Sequence, residues 1–290
     1  FAVNQYKYPS LDVRPYFKRN YLYGETMTHI LGYVGRINDR DVERLKKEEK
    51  FANYAGSTDM GKLGIERYYE EQLHGTTGFE EVEINNRGKV IRKLREQPAT
   101  AGKSIHLTID LALQRYIMSL LSGQKGAVVV LDPKDNSVLA MVSTPSYDNN
   151  LFVDGISASD YKRLLNDPAR PLYSRATQGV YPPASTVKPF VAVAALTEGV
   201  ITPHTTIFDP GYWTLPNSTK RFRDWKKSGH GYTDLNKAIT ESSDTFFYQT
   251  AFNLGIDRFS MWMKRFGFGM PTGIEIQEEA TANMPSKEWK

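Results

Sequence analysis

A hydroxyl and an amine one helical turn apart can serve as nucleophile and base, and the stretch GVYPPASTVKPF at 179–190 carries such a pair as Ser185 and Lys188. Residues three apart share one face of a turn, so the two side chains would point the same way. A lysine beside a buried helix is desolvated, which lowers its pKa, and the neutral amine can then accept a serine proton. The other reading is plainer: Ser185 caps the helix and Lys188 snorkels to water. Spacing alone does not choose, because the chain holds three SxxK strings. Ser122-Gly-Gln-Lys125 lies in a glycine turn, and Ser159-Asp-Tyr-Lys162 opens a polar helix with Ser159 as its expected N-cap. Neither has an apolar setting.

A second candidate is Ser242 with Asp244 in the run Ile239-Thr-Glu-Ser-Ser-Asp-Thr-Phe-Phe-Tyr248. A second hydroxyl could relay a proton, and a carboxylate could orient Lys188. Residues two apart face different sides of a regular helix, so this pair needs a loop or a helix end. The SxD pattern also occurs at Ser10-Leu-Asp12, Ser57-Thr-Asp59 and Ser146-Tyr-Asp148. What favours Ser242 is the aromatic run after it, which would seat the motif against a core.

The elements that must hold these residues can be read from pattern. Pro182-Pro183 fixes the backbone on entry, and a helix from about Ser185 to Leu196 follows, apolar all round over Phe190–Leu196 and therefore buried. Its N-terminus would offer unpaired N–H groups to an oxyanion. A further helix is expected over Leu235–Leu254, stopped by Gly255. Upstream, Ser137-Val-Leu-Ala-Met-Val142 and Ala127–Leu131 form a hairpin, after a strand at Ser104–Asp110 and a helix over Leu111–Leu121 capped by Asp110. The first hundred residues suggest helices at Asp39–Lys47 and Leu63–Leu73, a hairpin around Asn85-Asn-Arg-Gly88, and a linker at Gln97–Gly102. Strands and helices without regular βαβ alternation indicate an α+β fold with an antiparallel sheet. The character change at the linker divides the chain into 1–102 and 103–290.

At 290 residues the chain is long enough for two cores. A net charge of +4 over 37 basic and 33 acidic residues, with short separated basic clusters, argues against nucleic-acid binding. The absence of cysteine excludes disulfides and thiol catalysis. The five histidines never fall at a ligand spacing such as HxxxH, so a histidine-built metal site is not expected.

SxxK at the head of a buried helix, followed by a second serine motif, resembles the penicillin-binding proteins and serine β-lactamases. The likeness is wider than the motifs. Gly61–Glu70, His74-Gly-Thr-Thr-Gly78 and Asn85-Asn-Arg-Gly88 are similar to the N-terminal pedestal of class B penicillin-binding proteins. Val142-Ser-Thr-Pro-Ser-Tyr-Asp148, Asn150–Gly155 and Arg175–Pro183 resemble the members that serve cell elongation.

The resemblance implies a transpeptidase domain of the penicillin-binding type at 103–290, preceded by a non-catalytic, dimerisation-like, elongated pedestal at 1–102. It implies peptidoglycan D,D-transpeptidation, with Ser185 as nucleophile, Lys188 as general base, Ser242 as proton relay and Asp244 in the second motif. No cofactor or metal is implied. The partners would be pentapeptide stems, β-lactam antibiotics, an elongation glycosyltransferase and a periplasmic scaffold protein. The location would be the periplasmic face of the bacterial inner membrane, with an anchoring helix upstream. A penicillin-sensing domain and a scaffold without turnover are the alternatives.

The sequence departs from the family pattern twice. The second motif is most often SxN, whereas Asp244 stands third here. The family's KTG strand is not found: Lys227-Ser-Gly229 is the nearest string, but it precedes Ser242 and lies in a glycine-rich loop. These 290 residues alone are therefore expected to acylate poorly.

Overall fold

A computed structural model describes residues 16–86 and 90–288. Ser10-Leu-Asp12 and the Arg87-Gly88 half of the expected hairpin turn lie outside the described residues. The chain divides into two compact units, one of 1–179 with 275–279 and one of 180–274 with 280–290.

In the first unit, the helix Asp39–Lys47 starts from a capping box: Asp41 N–H donates to Asn38 Oδ1 at 3.0 Å and Asn38 N–H to Asp41 Oδ2 at 3.0 Å. Its buried residue, Leu45, packs against Tyr54 and Met60. The single helix expected over Leu63–Leu73 is two, Gly64–Tyr68 and Glu70–His74, because Tyr69 between them leaves helical dihedrals at φ −101° and ψ 18°. Phe79–Ile84 pairs antiparallel with Val90–Gln97, exposed along most of its length and crossed by Arg92–Glu83 and Lys93–Glu80 ion pairs, each at 2.6 Å.

The expected linker after it is tied down. Thr76 and Thr100 exchange two backbone hydrogen bonds of 2.9 Å, and Gly102 runs so close to Leu73 that an added Cβ would sit 1.9 Å from its carbonyl oxygen. Ser104–Asp110 does not form a strand despite its alternation. Only its end is held, by Asp110 N–H to Leu139 O at 2.8 Å and Thr108 Oγ1–H to Val138 O at 2.7 Å.

From Asp110 the expected order holds. Asp110 caps the helix Leu111–Leu120 by accepting from Leu113 N–H, and the helix lies on the antiparallel pair Gly126–Leu131 and Val138–Thr144. Ile117, Ala140 and Val142 form the core between them. Buried Gln114 fixes the contact, donating to Thr26 O and Met141 O and accepting from Met141 N–H.

The second unit packs the helices Lys188–Thr197, Asp244–Leu254 and Ile256–Arg265 around Val191, Ala192, Ala195, Phe246, Phe247 and Met263. Alanines at 192, 194 and 195, each 6% exposed or less, permit that close approach. Truncating fully buried Phe246 to alanine would cost about 3–5 kcal/mol. The first of these helices is not buried on every side, since Val193 is 47% exposed. Two short antiparallel pairs, Ile207–Asp209 with Gly231–Thr233 and Tyr212–Thr214 with Arg221–Arg223, complete the unit.

The helix expected over Leu235–Leu254 is broken into Leu235–Thr240 and Asp244–Leu254. Ser242 takes φ +55° in the turn between them. Gly255 at φ +79° ends the second piece and also begins Ile256–Arg265, a helix that reading the glycine only as a stop conceals. All strand pairs among the described residues are antiparallel two-stranded ladders.

Candidate active site

Pro183 leads into a single 3₁₀ turn, Ala184–Val187, which runs into the α-helix Lys188–Thr197 with Pro189 in its first turn. Ala184 holds φ +50°, an unusual conformation for a residue with a Cβ. This presents Ser185 at the exposed surface and turns Lys188 inward, where its side chain is 9% exposed. Lys188 does not snorkel to water. Its Nζ donates to Ser242 O at 2.7 Å, to Ser242 Oγ at 3.0 Å and to Asp244 Oδ1 at 2.7 Å, and lies 5.7 Å from the Phe247 ring centroid.

Ser242 Oγ–H in turn donates to Ser185 Oγ at 3.0 Å. The four sequence-selected residues therefore form one cluster, and the break at 241–243 supplies the non-helical turn that the two-apart spacing requires. Among the described residues Lys188 has no direct hydrogen bond to Ser185; the Ser242 hydroxyl stands between them. The other SxxK strings are not so placed. Lys125 is exposed, and Ser159 lies inside the helix Ala158–Asn166, whose N-cap is Ser157.

Behind the turn is a buried polar group that sequence reading missed. Ser243 caps the helix Asp244–Leu254, accepting from Phe246 N–H at 3.2 Å and donating its hydroxyl to Asp209 Oδ2 at 2.8 Å. Asp224 Oδ2 accepts from Asp244 N–H at 2.7 Å and Thr245 N–H at 3.0 Å. A carboxylate from a distant segment thus satisfies orphan donors at the positive end of the helix. His230 Nδ1 lies 2.8 Å from Asp209 Oδ2, so Nδ1 carries the proton there, while Nε2 is buried with no hydrogen-bond partner. Burial acts to raise the Asp209 carboxyl, but donors from His230, Gly211 N–H and Ser243 outweigh it and hold the group at about 2.

Asp209, Asp224 and His230 are also the residues that could hold a metal ion, with one ligand atom from each lying within 4.8 Å of the others. The spacing test for histidine ligands could not find them, because the ligands come from separate segments. Their backbone is tightly stacked. A Cβ on Gly229, which holds φ +73°, would stand 2.1 Å from Asp209 O, and Gly211 approaches Lys227 O as closely as 2.3 Å by the same measure. Lys227-Ser-Gly229 is therefore part of a folded loop, with no strand character.

The chain matches the family described as the penicillin binding protein transpeptidase domain over residues 126–290 and the penicillin-binding protein dimerisation domain over residues 1–107. It is 84% identical over 290 residues to the peptidoglycan D,D-transpeptidase MrdA of Haemophilus influenzae, and 63% identical over 290 residues to that of Escherichia coli K12. It spans 44% and 46% of the length of those relatives. Among solved structures, Pseudomonas aeruginosa PBP2 in complex with WCK 5153 aligns over 96% of this chain and 57% of its own, with TM-score 0.81 and 45% identity. Helicobacter pylori PBP2, in a complex with MreC, aligns over 94% of this chain and 50% of its own, with TM-score 0.84 and 33% identity.

Proposed function

The chain belongs to the class B penicillin-binding proteins, and from that premise we propose that it is the serine part of a peptidoglycan D,D-transpeptidase of the elongation type, acylated by β-lactams at Ser185. The observation that carries this reading is the hydrogen-bond chain Lys188 Nζ, Ser242 Oγ, Ser185 Oγ, which joins residues 54 and 57 positions apart in sequence. Its heavy-atom distances put the three groups within relay reach without a histidine, and rotation of the two hydroxyl hydrogens lets Ser185 donate to Ser242 and Ser242 to the Lys188 amine.

Ser185 Oγ attacks the carbonyl of the penultimate D-Ala of a stem peptide. Its proton passes through the Ser242 hydroxyl toward the Lys188 amine, and the C–O bond forms. The oxyanion develops beside the N-terminus of the helix Lys188–Thr197, whose dipole favours negative charge. Collapse breaks the C–N bond, and the relayed proton goes to the departing D-Ala amine. The side-chain amine of a second stem then attacks the acyl-enzyme; the new C–N bond forms as the C–O bond to Ser185 breaks, and the amine's proton returns to Ser185 Oγ through the same relay. Asp244 orients Lys188 throughout, through the 2.7 Å contact.

We assign residues 1–102 to a non-catalytic pedestal and 103–290 to the transpeptidase part. The working location is the periplasmic face of the inner membrane; no helix among the described residues is long and apolar enough to cross a membrane. The Helicobacter pylori complex supports a scaffold partner of the MreC kind. The elongation glycosyltransferase is proposed on the family resemblance.

The test is a cross-linking assay on the intact protein with a donor ending in D-Ala-D-Ala and an amine acceptor. D-Ala release with cross-linked product, both lost in Ser185→Ala, supports the reading. Rapid penicillin hydrolysis without cross-links would make it a β-lactamase instead.

A further inference from the structure

The second unit carries an apolar groove that the proton-transfer cluster does not use. Trp213 and Phe222 of the short antiparallel pair form one wall, Tyr248 and Phe252 of the helix Asp244–Leu254 the other, and Ile256 and Phe259 close it around a cavity of about 550 Å³. The rings support one another, with the Trp213 centroid 5.4 Å from Phe252, 5.8 Å from Phe222 and 6.3 Å from Tyr248. Phe252 is nonetheless 47% exposed and Ile256 39%. A contiguous apolar surface with a polar rim marks a place where another molecule binds.

Two properties of the groove select its occupant. The polar groups in its walls are already spent: Trp213 Nε1–H donates to Gln249 Oε1 at 2.8 Å, and Gln249 Nε2–H donates to Asn253 Oδ1 at 2.8 Å. A sugar or an extended peptide would lose hydrogen bonds on entering, whereas a helix satisfies its own backbone and can present apolar side chains. The rim, in turn, has one sign. The hairpin from Tyr212 to Arg223 contains Lys220, Arg221 and Arg223 and no acidic residue. All three cations are exposed, and none forms an ion pair among the described residues. Lys220 lies instead over the Phe222 ring at 5.3 Å and Arg221 over the Tyr212 ring at 4.3 Å.

We propose that this groove is the docking site for a partner protein, which inserts the apolar face of an amphipathic helix flanked by Asp and Glu. The apolar side chains fill the space between Trp213, Phe252 and Ile256, and the acidic flank meets Arg221 and Arg223. The partner thereby rests on the helix whose first residue, Asp244, holds Lys188. The proposal stands apart from the catalytic reading, since no residue of the groove takes part in proton transfer.

The test is fluorescence anisotropy of the intact protein with two labelled synthetic helices that share one leucine face, one rimmed by glutamate and the other by lysine. The glutamate-rimmed helix should bind about tenfold more tightly than the lysine-rimmed one, and added salt should narrow the gap. Phe252→Asp should weaken both about tenfold or more, and the double variant Arg221→Glu, Arg223→Glu should reverse the preference. Both changes lie at exposed positions, and the charge reversal decides the matter should Phe252→Asp unfold. Failure of both helices to bind, equal binding of the two, or indifference to both variants would overturn the proposal. Self-association that Phe252→Asp abolishes, or capture by anionic vesicles, without binding of the glutamate-rimmed helix would also overturn it, in favour of a second copy or a lipid surface. Loss of the Ser185 adduct leaves these readouts untouched, so the two readings fail separately.

Discussion

At the scale of single residues, the Ser242 hydroxyl is the only bridge between Lys188 and Ser185 among the described hydrogen bonds. Ser242→Ala should therefore slow acylation by about 10²–10⁴-fold, the usual range for losing a proton-transfer group, as measured by stopped-flow with a fluorescent penicillin. A loss of less than about threefold would mean that Lys188 reaches Ser185 without the relay. Asp209 makes a separate prediction. Its folded pKa, about 2, lies below the ordinary 3.8, so the folded state binds this proton more weakly than the unfolded chain does. The stability it confers is full above pH 3.8 and is lost as pH falls toward 2. Urea melts across that window should flatten for Asp209→Asn relative to the parent protein.

At the scale of elements, what matters is how a turn can be made where the pattern promises a helix. Ser243 has side-chain bonds both to Phe246 N–H and to Asp209. Ser243→Ala should cost about 1–2 kcal/mol in urea unfolding and should also slow acylation, because the cap fixes the turn that carries Ser242. The need for this break was legible in sequence, since Ser242 and Asp244 cannot share a helical face. Its location was not, because φ +55° at Ser242 is held by tertiary partners such as Asp224 and Asp209 rather than by any local glycine or proline. The same limit explains Ser104–Asp110, which alternates like a strand but acquires only isolated bonds to 138 and 139. Ladder pairing is a long-range property. Asp110 as a cap, the helix after it and the hairpin Gly126–Leu131 with Val138–Thr144 were legible because their signals are local.

At the scale of the whole molecule, each unit has its own core, and the candidate chemistry lies in the second. SxxK could be selected from three copies because its flanking prolines and apolar helix announced a buried setting. The scaffold of Asp209, Asp224 and His230 could not be selected, since separate segments meet only after folding. The first unit carries its own acid sensitivity. Burial is the main cause that lowers His29 to about 4 from 6.5, so the fold prefers the neutral ring. Its contribution is present above pH 6.5 and is lost as pH falls to about 4, the unfolded chain taking the proton first. Thermal melts between pH 7 and 4 should show this decline, and a flat profile would contradict it.

The most direct test of the central claim is peptide mass mapping of the intact protein after reaction with labelled penicillin. The account predicts one adduct, on the peptide containing Ser185, absent from a folded Ser185→Ala variant. An adduct on another residue such as Ser122, Ser159 or Ser242, or one that persists in Ser185→Ala, would contradict it.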